Sequence, residues 1–175
     1  EAYAFNGDLS TWDTSNVQDF RGIFKNNVQF NGNISTWDTS SATTMAQMFH
    51  EATSFNGDVS SWIVSNVENM YEMFDDATSF NGDLSEWDVS SVTDMRVMFW
   101  KTNFNEDISN WDVSNVTKMR IMFQDSPFNQ DISNWDVSNV TNMDYMFMDN
   151  TSFNQDLSIW DVYFVTGCMG FNKIN

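Results

Sequence analysis

Two columns of aspartate run through the sequence at constant phase. One directly follows a tryptophan: Asp13, Asp38, Asp88, Asp112, Asp136 and Asp161. The other lies three residues after a phenylalanine: Asp8, Asp58, Asp83, Asp107, Asp131 and Asp156. If the segments that carry them stack in register, successive carboxylates of a column lie one strand spacing, about 4.8 Å, apart. Each neighbouring pair then repels by roughly 1 kcal/mol in water and about 3.5 kcal/mol at an effective dielectric near 20. A penalty repeated along a column invites a counter-ion, and calcium is the hard cation suited to rows of carboxylates. These aspartates are candidate calcium ligands, and Ca2+ is the one cofactor the sequence suggests. The competing reading is plainer. Solvated carboxylates are screened by salt, and an aspartate in Asn-Gly-Asp or Asn-Gln-Asp can simply accept turn N–H bonds. No EF-hand loop or calcium-binding nonapeptide is present.

Other chemistry finds less support. The single histidine, His50, beside Phe49 and Glu51, reads as a solvated substitution rather than a general base. No nucleophile elbow, phosphate loop or metalloprotease motif occurs, and no catalytic residue is assigned. Carboxylate pairs abound, so a carbohydrate-active enzyme stays as a remote alternative; yet these acids repeat with the unit, whereas a catalytic pair is normally unique. Four glycosylation sequons begin at Asn33, Asn115, Asn139 and Asn150. Asn150, placed at a loop, reads as the most accessible of them. The lone Cys168 excludes an intrachain disulfide and reads as a small core residue.

The elements that would position these groups follow from the repeat. Phe-Asn recurs at 5, 30, 55, 80, 104, 128 and 153, spaced 24 or 25 residues apart. Trp12, Trp37, Trp62, Trp87, Trp111, Trp135 and Trp160 recur in the same register. Ile108-x-x-Trp111-x-Val113 follows a leucine-rich spacing. Trp111 and Val113 alternate with Asp112 and Ser114, which predicts a short half-buried strand. Met119, Met122 and Phe123 sit at i, i+3 and i+4, which predicts one helical turn with a buried face, capped by Thr117. One unit cannot bury such a face alone, and stacked copies can. The expected fold is a repeat solenoid: a leucine-rich-repeat-like right-handed coil with one short parallel β-strand and one short helical turn per 24–25-residue repeat. Residues 1–175 would form a single array of about seven repeats, starting near 5, 30, 55, 80, 104, 128 and 153 and belonging to a longer array. Residues Glu1 to Phe5 resemble the tail of an earlier repeat. The tryptophans would build one internal ladder. The asparagines after each phenylalanine, Asn6, Asn31, Asn56, Asn81, Asn105, Asn129 and Asn154, would build another, turned inward to satisfy corner backbone groups.

Charge narrows the partners. With 25 acidic against 7 basic residues the chain carries −18, which repels nucleic acid and anionic membrane. An aromatic content of 16% separates it from acidic disordered chains. No apolar run approaches the roughly 20 residues of a membrane span, so direct membrane insertion is not expected.

The string from Phe128 to Phe147, Phe-Asn-Gln-Asp-Ile-Ser-Asn-Trp-Asp-Val-Ser-Asn-Val-Thr-Asn-Met-Asp-Tyr-Met-Phe, resembles the 25-residue surface-protein repeat of the DUF285 family, itself related to BspA-like leucine-rich repeats. The likeness covers nearly the whole chain. It departs at Ile63 and Asn33, which stand where other units have Asp, at Phe20 and Ile23, which stand where others have Met, and most in the last unit. The resemblance implies a protein outside the cell or on its surface, with a role in adhesion and in binding other proteins. The function expected is therefore a non-catalytic extracellular or cell-surface structural or adhesion module presenting a regular acidic face. Its partners would be other proteins, surface glycans, or further copies docked end to end. The alternative is a calcium-stabilised subunit of an extracellular filament or coat.

Overall fold

The structure, a computed structural model, describes residues 4–172; the resemblance of Glu1–Tyr3 to an earlier repeat lies outside them. Each apolar column meets its own copy in the neighbouring unit. Phe30, Phe55, Phe80, Phe104 and Phe128 are fully buried, and their rings stack at 5.9–6.1 Å. A second phenylalanine column, Phe24, Phe49, Phe74, Phe99, Phe123 and Phe147, stacks at 5.4–5.8 Å. Within a unit the two columns lie face to face, 3.8 Å apart for Phe74 and Phe80. Offset aromatic pairs of this kind add about 0.5–1.5 kcal/mol each beyond area burial. Val, Met and Ile columns fill the remaining interior.

Tryptophan does two jobs. The column indoles of Trp37, Trp62, Trp87, Trp111, Trp135 and Trp160 are buried, whereas Trp100, outside the column, is half-buried with its Nε1 unpartnered among the described residues. In this column each Nε1–H donates to a carbonyl of the preceding unit at 3.0–3.2 Å, as Trp111 does to Leu84. The buried indole N–H therefore has the partner that burial demands, and that partner ties unit to unit.

The expected leucine-rich-repeat-like coil, with a strand and a helical turn in each repeat, is overturned. Among the described residues there is no helix and no sheet. The only strand-type pairing is a column of single parallel bridges: Asp19 with Thr44, Thr44 with Asn69, and so on through Asp94, Lys118, Asn142 and Gly167. That column lies just before the methionines and misses the expected Trp111–Val113 strand. There the chain turns too tightly to pair: Trp111 N–H bonds Ile108 O at 3.1 Å and Val116 N–H bonds Val113 O at 2.9 Å. The helical turn fails for a different reason. The N–H groups of Met119, Ile121, Phe123 and Asp125 donate at 2.9 Å to carbonyls of the next unit, Asn142, Asp144, Met146 and Met148. An α-helix would send them four residues back within its own segment. Between them, Met122 N–H closes a turn on Met119 O at 3.2 Å.

Those turns need left-handed backbone. Gly22, Gln47, Glu72, Val97, Ile121, Tyr145 and Gly170 form one column with φ between +55° and +65°. Asn26, Glu51, Asp76, Lys101, Asp125 and Asp149 form a second, at +53° to +59°. Glycine and asparagine tolerate this region; other L-residues adopt it at a cost of about 1–2 kcal/mol. The two turns point Met119, Met122 and Phe123 inward, as a helix would, while their backbone bonds run along the stack.

Apart from Ile63, 54% exposed, the large exposed apolar residues lie in the first and last described units. Trp12 is 58% exposed, against 4% for Trp37, and Tyr163, Phe164 and Met169 are also exposed. Cys168, expected in the core, is exposed at an apolar hollow shared with Trp160, Val165 and Phe171.

Candidate functional site

All the column aspartates are exposed. Each uses Oδ1 to accept the backbone N–H two residues on, at 2.9–3.1 Å. In eleven of the twelve the donor is serine; at Asp161 it is Tyr163. The hydroxyls of Ser15, Ser40, Ser60 and Ser90 donate to the same oxygen at 2.6–2.7 Å. This is the side-chain-to-backbone turn that Asp favours, and it holds the carboxylate at a fixed angle to the surface. Asn33, which stands in for Asp in the second unit, makes the same two bonds with Ser35 at 3.1 and 2.8 Å.

Hydrogen bonding also decides the electrostatics. The serine hydroxyl and then its amide hold Asp13, Asp38, Asp58, Asp88 and Asp136 below the ordinary carboxylate range. At Asp83, Asp107, Asp131 and Asp156 the amide acts first and the hydroxyl second. Repulsion between neighbours in a column is present, from Asp13 on Asp38 and from Asp58 on Asp83, but it is the smallest influence named at either residue. The serine donors outweigh the like-charge cost from which the sequence argument for calcium began.

An expectation for acid follows. A carboxyl whose folded pKa lies below its unfolded value contributes stability above the unfolded value and loses it as pH falls through the folded one. Asp19, bound by the Arg21 side chain at 2.6 Å and by its amide, is held at about 2. Thermal melts should therefore show Tm falling progressively from about pH 4 toward pH 2. A Tm that stays flat or rises across that window would show that the Asp–Ser bonds do not contribute.

The asparagine ladder forms outside the core. The N–H of Asn31 bonds Asn6 Oδ1 at 3.0 Å, and the pattern repeats at 2.8–3.0 Å through Asn56, Asn81, Asn105, Asn129 and Asn154. These side chains are exposed or half-buried, so the expectation that they turn inward is corrected: each bridges units along the surface. The sequons are ordered differently from the sequence reading. Asn150 is only 1% exposed, and its Nδ2 donates to Phe128 O at 2.9 Å, so the site expected to be most accessible is the least. Asn115 and Asn139 are exposed, with Nδ2 donating at 2.8 Å to Ser90 O and Ser114 O. Asn33 is exposed with its Oδ1 engaged.

His50 is not the solvated substitution that the sequence suggested. It is half-buried and bonds Asp75 in the next unit at 2.8 Å. The signal was available: His50 and Asp75 occupy the same repeat position 25 residues apart, so stacking must bring them together.

No helix among the described residues is long and apolar enough to cross a membrane. No curated protein and no solved structure matches the chain significantly. The family described as "Mycoplasma protein of unknown function, DUF285" matches residues 1–104 and 82–172. The two matches overlap and together span every unit whose Phe-Asn, Asp-x-Ser and Trp columns are described above, so this chain belongs to the DUF285 family.

Proposed function

We propose that this chain is a non-catalytic structural or adhesion module, acting outside the cell or on its surface, whose working part is the regular acidic face. One observation carries the reading: exposed carboxylates recur at the same two positions in unit after unit, each oriented by a hydrogen bond from the residue two places on. A face of fixed charges at fixed spacing suits a partner with its own repeating cationic or hydroxyl groups, a protein or a glycan. Electrostatic complementarity of this kind governs partner choice and encounter rate. The kinship with BspA-like surface proteins implied by the repeat motif supports the same role.

Asn33 supplies the test, because it shows that asparagine keeps the turn while removing the charge. Replacing Asp88, Asp112 and Asp136 together by Asn should keep the fold and lower Tm only modestly, by the charge-dependent part of the serine bonds. Binding to arrayed extracellular proteins and glycans should weaken by about tenfold or more, and less so at high salt. Equal binding by the neutralised and native chains, or no binding by the native chain to any arrayed ligand, would defeat the proposal.

A further inference from the structure

We propose that His50, Glu72 and Asp75 form a binding site for one zinc-class divalent cation between the second and third units. This goes beyond the acidic face and does not depend on it. Donor atoms of the three residues all lie within 4.8 Å of one another. His50 Nδ1 is 2.8 Å from Asp75 Oδ2 and 3.8 Å from Glu72 Oε2. Two ligands of a tetrahedral ion, each about 2.0–2.2 Å from the metal, lie about 3.4 Å apart. The observed separations bracket that value, so small side-chain rotations bring all three to bonding distance.

Asp75 provides the independent pointer to a ligand. It is 2% exposed, its carboxylate is aimed at His50, and its Oδ1 is buried with no hydrogen-bond partner among the described residues. A buried carboxylate oxygen left unpaired is costly, and a cation is the partner that satisfies it. Ligands bind a metal in their deprotonated form, so uptake of the ion releases protons.

The surroundings resemble a supporting shell. The far nitrogen of His50 lies 3.4 Å from Glu51 Oε1, close enough that a small rotation would let that carboxylate orient the imidazole. Gln47 Nε2 donates to Glu72 Oε2 at 2.5 Å and fixes that carboxylate. His50 and Glu72 are half-buried, which leaves the ion a way in and room for a water as fourth ligand. The imidazole donor selects zinc-class ions over calcium, which takes six to eight oxygens. The combination occurs once: the positions equivalent to Glu72 in the next two units are Val97 and Ile121, and those equivalent to His50 in later units include Trp100 and Gln124.

The test is a titration of the metal-free chain with CoCl2, followed by visible absorption, and with ZnCl2, followed by calorimetry. One ion per chain should bind, with cobalt bands showing a nitrogen ligand, protons released on binding, and no displacement by equimolar CaCl2. His50→Gln and Glu72→Gln should each weaken binding by about 100-fold or more. Glutamine at position 72 repeats what Gln47 is one unit earlier, so this variant should melt like the native chain and serves if Asp75→Asn does not fold. Absence of a one-to-one isotherm, or binding that survives both substitutions at native strength, would overturn the site and leave an ordinary buried His–Asp pair.

Discussion

Replacing Phe99 by alanine should destabilise the chain by about 3–5 kcal/mol, the range for a fully buried aromatic truncated to a methyl. Phe99 is fully buried and touches four rings: Phe104 at 4.1 Å, Phe123 at 5.7 Å, Phe74 at 5.8 Å and Trp111 at 6.3 Å. Two of these contacts, to Phe74 and Phe123, are the only ring-to-ring links of that column through the middle of the stack. Stability in a stacked array is approximately a sum of unit terms and neighbour interfaces, and one substitution here weakens two interfaces at once. Phe5→Ala makes the comparison. Phe5 is partly exposed and, among the described residues, stacks on Phe30 alone, at 6.3 Å, so its loss should cost about 1 kcal/mol or less. Urea denaturation checks both. The m value of the Phe99 variant should fall, or its transition should split, as the two halves of the stack uncouple. Equal losses at Phe5 and Phe99 would mean that the columns do not form one continuous interior.

The period and the burial pattern were legible because they depend on side-chain type alone. Trp111, Val113, Val116, Met119, Met122 and Phe123 are buried as their spacing implied, whatever backbone carries them. The backbone itself was misread because two different chain paths produce the same inward pattern. A helix buries i, i+3 and i+4 by its 3.6-residue period; here two turns with a left-handed residue bury Met119, Met122 and Phe123 while their N–H groups reach the next unit. The discriminating signal was faint. Gly22, Gly170 and Asn26 stand at the left-handed positions, but Val97 and Ile121 occupy the same columns and conceal them. The acidic face was legible in its residues and in its turn N–H bonds, but not in the serine hydroxyls that complete them. Asp-x-Ser spacing is the signature of a side-chain turn, and the turn N–H bonds it offers each carboxylate are the ones formed, with serine hydroxyls added at several positions.

The left-handed columns give the second large effect, and with opposite signs at one residue. Ile121 has φ +65°, where its branched Cβ crowds the backbone, and it is half-buried. Ile121→Asn removes the branch without the unfolded-state entropy of glycine, and should raise stability by about 0.5–1 kcal/mol. Ile121→Pro meets two obstacles. Proline holds φ near −65°, opposite to what the turn requires, and it deletes the N–H that donates to Asp144 O at 2.9 Å. The expected loss is about 4 kcal/mol: roughly 3 kcal/mol for the incompatible backbone and about 1 kcal/mol for the inter-unit bond. The two variants should therefore differ by about 5 kcal/mol in urea denaturation, although both delete nearly the same apolar side chain. A helix in this segment would rank the pair differently, since asparagine lowers helix propensity relative to isoleucine and would then destabilise. A stabilising asparagine beside a disruptive proline is the pattern that only a left-handed turn at Ile121 produces, and an asparagine variant less stable than the native chain would contradict it.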